Sequence, residues 1–319
     1  MSLLNDNPSL WLDGRLILDC STLLPGPYLG KLLLNRGARV IKVENPERPD
    51  RAREMKSIYA DLNEKKEFVL LNLENSADRT RFHALVKKAD GLIEGFRPET
   101  KLKLGLDEKS LHKINPKLCI ASLIGYPEDT PCRDRAGHDL NFAAVTGCLS
   151  LFDQMPALPL ADLFSAYAGA LSLCAAMDAV ARTRKGTRVV ISMCEVLKEV
   201  QSNLIREYQD TGVLPHYGET LFSGRFPCYR VYTSKEGRRI AVGAIEGKFW
   251  QKVCDILALP DVAREGYATG EWGHEVIARV QRAFASKSWA EWAPFFEDAD
   301  CCVEPVLEYS EVYPRGIQS

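Results

Sequence analysis

The chain reads as α/β: a doubly wound, mostly parallel sheet in a large domain, followed by a smaller α+β domain. Three observations carry this reading. Strand, helix and strand follow one another within Leu16–Glu44. That is the spacing of a βαβ unit, which implies parallel strands and a right-handed crossover. Apolar runs then alternate with helical stretches as far as Ile191, the pattern of a sheet covered on both faces. Around Gly212–Pro227 the composition shifts to glycine, proline and aromatics, and a hairpin pattern follows. The expected boundaries are residues 1–211 for the large domain, 212–227 for a linker and 228–319 for the small domain.

Each element has its own signal. Leu16-Ile17-Leu18-Asp19-Cys20 is a short apolar strand, and Pro25-Gly26-Pro27 breaks the chain after it. Tyr28 to Arg36 reads as a helix stopped by Gly37, and Val40 to Glu44 as the second strand. A dinucleotide fold would place G-x-G-x-x-G after the first strand. Ser21-Thr22-Leu23-Leu24-Pro25-Gly26-Pro27 stands there instead, which argues against a nicotinamide enzyme. Arg48 to Lys66 reads as polar and irregular. Phe68–Leu73, Gly91–Glu94 and Leu118–Ile124 are further strands, with a helix capped by Ser76 and running to about Lys88, and another from about Asp107, between them. A helix opens near His138, a longer one runs from Asp162 to about Arg182, and another from about Cys194 to Thr211 follows the strand Val189–Ile191. Tyr229–Thr233 and Arg239–Ile245 form the hairpin, and helices near Phe249–Ala258, His274–Ser286 and Trp289–Glu297 complete the chain. This is a Rossmann-like layout.

Composition narrows the function classes. At 319 residues with a formal net charge of -2, nothing points to nucleic acid or an anionic membrane as partner. The 10 cysteines form no C-x-x-C pair and read as reduced thiols of a cytoplasmic protein. His274-Glu275 lacks the second histidine of H-E-x-x-H, so no metal is expected. No apolar run reads as long enough to span a bilayer, and the amino terminus lacks the pattern of a signal peptide.

Three titratable residues stand at element ends: His138 before a helix, Asp162 at the start of an apolar helix, Glu246 after an apolar strand. Taken alone, Asp162 reads first as a helix N-cap, His138 as a hydrogen-bonded loop histidine and Glu246 as a solvated carboxylate.

Several stretches together resemble class III CoA-transferases, a family that also contains the α-methylacyl-CoA racemases. They include Ile17-Leu18-Asp19 with Pro25-Gly26-Pro27, Gly37-Ala38-Arg39-Val40-Ile41-Lys42-Val43-Glu44 and Ala89-Asp90-Gly91-Leu92-Ile93-Glu94-Gly95-Phe96-Arg97-Pro98. Leu104-Gly105-Leu106, Val242-Gly243-Ala244-Ile245-Glu246 and Cys302-Val303-Glu304-Pro305-Val306 extend the likeness along nearly the whole chain. Transferases of this kind keep an aspartate nucleophile, where Asp162 falls. Racemases add a histidine in Gly-His-Asp-Ile-Asn-Tyr, and Gly137-His138-Asp139-Leu140-Asn141-Phe142 is similar to it.

The resemblance implies C2 epimerisation of 2-methyl-branched acyl-CoA thioesters. His138 and Asp162 would be bases on the two faces of an enolate, with Glu246 orienting one of them. It implies coenzyme A as part of the substrate and no permanently bound cofactor. Lys103, Arg97 and Lys42 are the expected phosphate contacts, and Phe142 packs on the cofactor or fills the core. It also implies an interlocked homodimer. The helix dipole at Asp162 is expected to lower its pKa, a hydrophobic pocket would have to offset that, and the helix N–H groups are candidates to receive the enolate oxygen. Two alternatives stay open: a CoA-transferase with Asp162 as nucleophile, and an acyl-CoA-binding protein without turnover. Phe142 in place of tyrosine and Glu74 in place of a lysine motivate the latter.

Overall fold

The computed structural model describes residues 11–314. The chain divides into two compact units, one holding the described residues up to Ser150 with Gln154–Gln209, the other Leu151–Asp153 with those from Asp210 on.

In the first unit the strands are β1 (Leu16–Asp19), β2 (Arg39–Glu44), β3 (Glu67–Leu70), β4 (Gly91–Glu94), β5 (Cys119–Ile124) and β6 (Arg188–Ser192). They form one sheet in the order β3-β2-β1-β4-β5-β6 with every neighbouring pair parallel. The order reverses between β1 and β4. That switch point opens a crevice beyond the carboxyl ends of the strands, where ligands of such sheets bind. Side chains alternate between the two faces: Ile17, Ile93 and Ala121 join one apolar cluster, Leu18, Leu92 and Ile120 the other. Both faces are covered, so the inner strands are apolar throughout rather than alternating.

The helices of this unit are α1 (Pro25–Leu34), α2 (Lys56–Asn63), α3 (Ser76–Val86), α4 (Pro98–Leu104), α5 (Glu108–Ile114), α6 (Asp139–Val145), α7 (Leu160–Thr183), α8 (Met193–Val200) and α9 (Ser202–Thr211), the last reaching the unit boundary. Several differ from the sequence expectation. Arg48–Lys66 is not irregular, since a 3-10 turn at Arg51–Glu54 and α2 lie in it. The stretch from Cys194 to Thr211 is two helices, parted at Gln201. Asn75, not Ser76, caps α3, its side chain accepting from the backbone of Ala77. At 24 residues, α7 is long and apolar enough by length and composition to cross a membrane, contrary to expectation. Here it packs on α1, α8, β5 and β6. Gly169 permits the approach to α1, because a Cβ there would lie 2.5 Å from a Leu29 methyl.

The second unit has an antiparallel sheet of β7 (Tyr229–Thr233), β8 (Arg239–Gly243) and β9 (Val303–Pro305), with α10 (Gly247–Ile256), α11 (Gly270–Phe284), α12 (Trp289–Phe296) and α13 (Tyr309–Val312). The predicted hairpin is β7 and β8. Its core is aromatic: Phe284 stacks on Tyr232 at 5.4 Å and on Phe296 at 5.8 Å.

Buried charge holds the mouth of the first sheet together. Asp19, at the end of β1, is fully buried and accepts from Lys66 Nζ at 2.8 Å and from the Ser21 backbone at 3.0 Å. Lys66 also donates to the Pro27 carbonyl at 2.8 Å and to Asn63 Oδ1 at 2.9 Å. Lys42 donates to the Ser21 carbonyl and lies 3.6 Å from Asp50, which accepts from the Leu23 backbone at 3.0 Å. These bonds hold Leu23 at φ +64, a conformation that favours glycine and that a non-glycine residue keeps only when its surroundings impose it. Removing one partner leaves a buried charge unanswered. Lys66→Met is therefore expected to cost about 3–5 kcal/mol, read from the urea midpoint. A loss below about 1 kcal/mol would mean that Lys42 alone neutralises Asp19.

Candidate active site

A cavity of about 250 Å³ lies at the switch point. Its wall takes Cys20–Leu23 from the end of β1, Gly95–Arg97 from the end of β4 and Ile124–Gly125 from the end of β5. The segment leading to α6 adds Arg133, Arg135 and His138, and Asp162 and Met193 also line it. The loop pinned by Asp19, Lys42 and Asp50 is thus one side of the cavity. Gly26 allows it to fold back, since a Cβ there would collide with the Ser21 side chain.

His138 is the N-cap residue of α6. Its backbone N–H donates to Asn141 Oδ1 at 3.0 Å, and its carbonyl accepts from the Asn141 backbone at 2.8 Å. The backbone is fixed at both ends while the residue is exposed at the cavity, where it can meet a ligand.

Asp162 is the third residue of α7, whose N-cap is Pro159, so it is not itself the cap. Its backbone N–H donates to Asp139 Oδ1 at 3.1 Å. That N–H is therefore engaged and does not serve an enolate oxygen. Burial pushes the Asp162 carboxyl up from 3.8 to about 7, and the Asp139 charge adds to the rise. The helix dipole favours the ionised form by up to about 2 kcal/mol in a partly buried place; loss of hydration outweighs it here. The expectation of a lowered pKa is corrected in that sense.

Phe142 is buried in a cluster with Ala143, Ala161 and Met193, and its ring meets Tyr126 edge-on at 5.3 Å. It is a wall residue that also reaches the cavity. A Cβ at Gly137 would lie 2.7 Å from this ring, so glycine before His138 is what lets the two pack.

The phosphate candidates separate. Arg97 is exposed, caps α4 and lines the cavity with His138 and Asp162. Lys103 lines a neighbouring depression of about 240 Å³ with Val43, Arg48, Leu71, Glu74 and Thr100; Cys20 and Phe96 border both hollows. Its ammonium is 2.8 Å from Glu74, which Arg48 approaches to 3.5 Å. Lys42 is a correction: its side chain is 1% exposed and its ammonium is spent on Ser21, Asp19 and Asp50, so it meets no ligand.

Glu246 belongs to the second unit. It is the exposed N-cap residue of α10, and its carbonyl accepts from Phe249 at 2.9 Å and Trp250 at 3.1 Å. The structure places His138, Asp162, Arg97 and Phe142 around one cavity, and Glu246 at a helix end of the other unit.

Sequence reasoning missed Arg133, Arg135 and the role of Asp139. The first two stand just before the Gly137-His138 motif, and a tally of cations there would have found them. Asp139 gave no signal, because its contact spans 23 positions of chain.

Fold and cavity together define an α/β chain with a histidine and a raised-pKa aspartate at the switch point of its sheet. A model of CoA-transferase family III matches residues 12–316, and the chain belongs to that family. It is 31% identical over 310 residues to the alpha-methylacyl-CoA racemase of Homo sapiens, covering 94% of this chain and 79% of that protein. It is 26% identical over 321 residues to the acetyl-CoA:oxalate CoA-transferase of Acetobacter aceti, covering 94% and 81%. The crystal structure of Rv3272 from Mycobacterium tuberculosis matches with a TM-score of 0.81 at 27% identity, over 96% of this chain and 85% of that one.

The Asp162 shift has a stability consequence. Its folded pKa lies above its unfolded value, so the folded state holds the extra proton and loses stability as pH rises from about 4 to about 7. At about 1.4 kcal/mol per pH unit, ionising it costs on the order of 4 kcal/mol. Asp162→Asn is therefore expected to raise the unfolding midpoint at pH 8 relative to wild type, with little difference at pH 4.5. Equal midpoints at both pH values would contradict the raised pKa.

Proposed function

We propose that the protein epimerises C2 of 2-methyl-branched acyl-CoA thioesters. The observation that carries this is that His138 and Asp162 line one cavity, with the Asp162 carboxyl near neutrality. A proton-transfer group works best when its pKa lies near working pH, because both of its forms are then populated. A carboxylate used only as a nucleophile would spend half its time protonated and idle.

The thioester carbonyl acidifies the C2 proton. Ionised Asp162 takes it, leaving an enolate, and the imidazolium of His138 returns a proton to the opposite face. The reverse turnover exchanges the roles. The CoA phosphates would meet Arg97 and the Lys103–Arg48 pair, while the apolar floor of the second hollow, Val43, Leu71 and Phe96, suits a flat ring. Coenzyme A comes as part of the substrate, and no resident cofactor is called for. The reading carries a homodimer in the cytoplasm with it; Leu171, Tyr167 and Phe164 leave α7 with exposed apolar groups that a second copy would cover. A transferase with Asp162 as nucleophile is the second reading, supported by relatives named as CoA-transferases.

Incubation of (2R)- and (2S)-2-methylacyl-CoA in D2O tests the proposal. Wild type is expected to incorporate deuterium at C2 from both epimers and to equalise them. His138→Ala and Asp162→Asn are each expected to slow exchange by about 10²-fold or more. No exchange from either epimer, with a hydroxylamine-trappable acyl group on Asp162, would favour the transferase instead.

The Glu74 carboxylate competes with phosphate for Lys103 and Arg48. Glu74→Gln is expected to tighten CoA binding about fivefold at low salt, because it removes one exposed competing charge. Calorimetric titration with CoA reads it, and unchanged affinity would place the phosphates elsewhere.

A further inference from the structure

The first turn of a helix leaves backbone N–H groups without intrahelical partners. In α7 the N-cap is Pro159, which offers no side-chain acceptor. The acceptor comes from a different helix: Asp139, first residue of α6, receives the Asp162 N–H at 3.1 Å. Asp139 also follows His138 directly, so a single peptide unit joins the exposed imidazole to the anchor on the Asp162 turn.

We infer that Asp139 is a positioning residue that ties the His138 cap of α6 to the Asp162 turn of α7 and fills the helix end that would otherwise favour ionised Asp162. The inference rests on Asp162 being a proton-transfer group, but one part of its test does not depend on that. The surroundings of Asp162 make the assignment specific. Asp139 is the charged group that acts on it directly. The segment before α6 brings Arg133, Arg135 and His138 to the cavity, and the start of α4 brings Arg97. From α1 and α8 come Gly26 and Met193, which carry no charge. Arg133 is held by neighbouring Asp134 at 3.2 Å. A negative group placed beside a half-buried carboxyl disfavours its ionisation, and Asp139 does so while spending one oxygen on the N–H that would have opposed the effect.

The distinguishing variant is Asp139→Asn, which keeps an oxygen for the N–H and removes the charge. The limb of the kcat/KM profile for C2 deuterium exchange that reports Asp162 is expected to move down by about one pH unit. Asp139→Ala, which also frees the N–H, is expected to move the limb down at least as far and to show a further fall in kcat of about tenfold from misplacement. A separate readout needs no turnover. The Asp162 carboxyl, labelled with carbon-13 and assigned against Asp162→Asn, is titrated by NMR in the substrate-free protein. A downward move in Asp139→Asn supports the inference even for a protein that exchanges no C2 proton, a result that would count against the proposed reaction alone. A carboxyl titration unmoved in Asp139→Asn, in a variant with native thermal stability, overturns it.

Discussion

The mouth of the parallel sheet depends on Asp19. A carboxylate with no exposed surface is costly unless it is paired and hydrogen-bonded. Lys66 and Lys42 answer it from two directions. Burial raises its pKa, and the two ammonium groups more than reverse that, holding it down at about 2. Because the same lysines also bind the Ser21 and Pro27 carbonyls, the charge pairs fix backbone as well as each other. The loop from Cys20 to Leu23 has one shape as a result, and that loop is a wall of the cavity. A buried ion cluster is weak evidence for net stability. Its service here is to specify the shape of a loop that carries no regular structure.

Opposite that wall, two helix ends meet. A helix beginning at a sheet's carboxyl edge presents free N–H groups to whatever lies in the crevice. In many sheets a ligand anion takes them; here Asp139 takes one, and Asp162 sits on the same turn. The carboxyl of Asp162 is left with burial and a like charge, both of which favour its proton. The dipole alone would have predicted the opposite sign. Magnitude decides: loss of hydration shifts a carboxyl by up to several pH units, and an end dipole by up to about one and a half.

The second hollow shows the same economy in exposed charge. Glu74, a carboxylate where the family resemblance leads one to expect a lysine, is not left facing the groove alone. Lys103 and Arg48 close on it, and the rim keeps a net positive balance. Such a rim holds an anion less tightly than one with three cations, without excluding it. Phe142 departs from the resemblance in the same measured way, since its ring is packed against Tyr126.

Local pattern made the parallel sheet, the order of its strands in the chain and the hairpin of the second unit legible from sequence, because apolar periodicity and turn residues act within a few positions. The motif around His138 and the acid opening α7 were legible for the same reason. The residues alone left their roles open, and family resemblance chose among them. Tertiary structure decided the rest. Lys42 read as a phosphate contact until β1, β2 and Asp50 enclosed it. Lys103 gained its partner across 29 positions, and Asp162 its neighbour across 23. The sign of the Asp162 shift belongs to this second class, because desolvation is a property of the assembled surroundings and of no stretch of chain by itself.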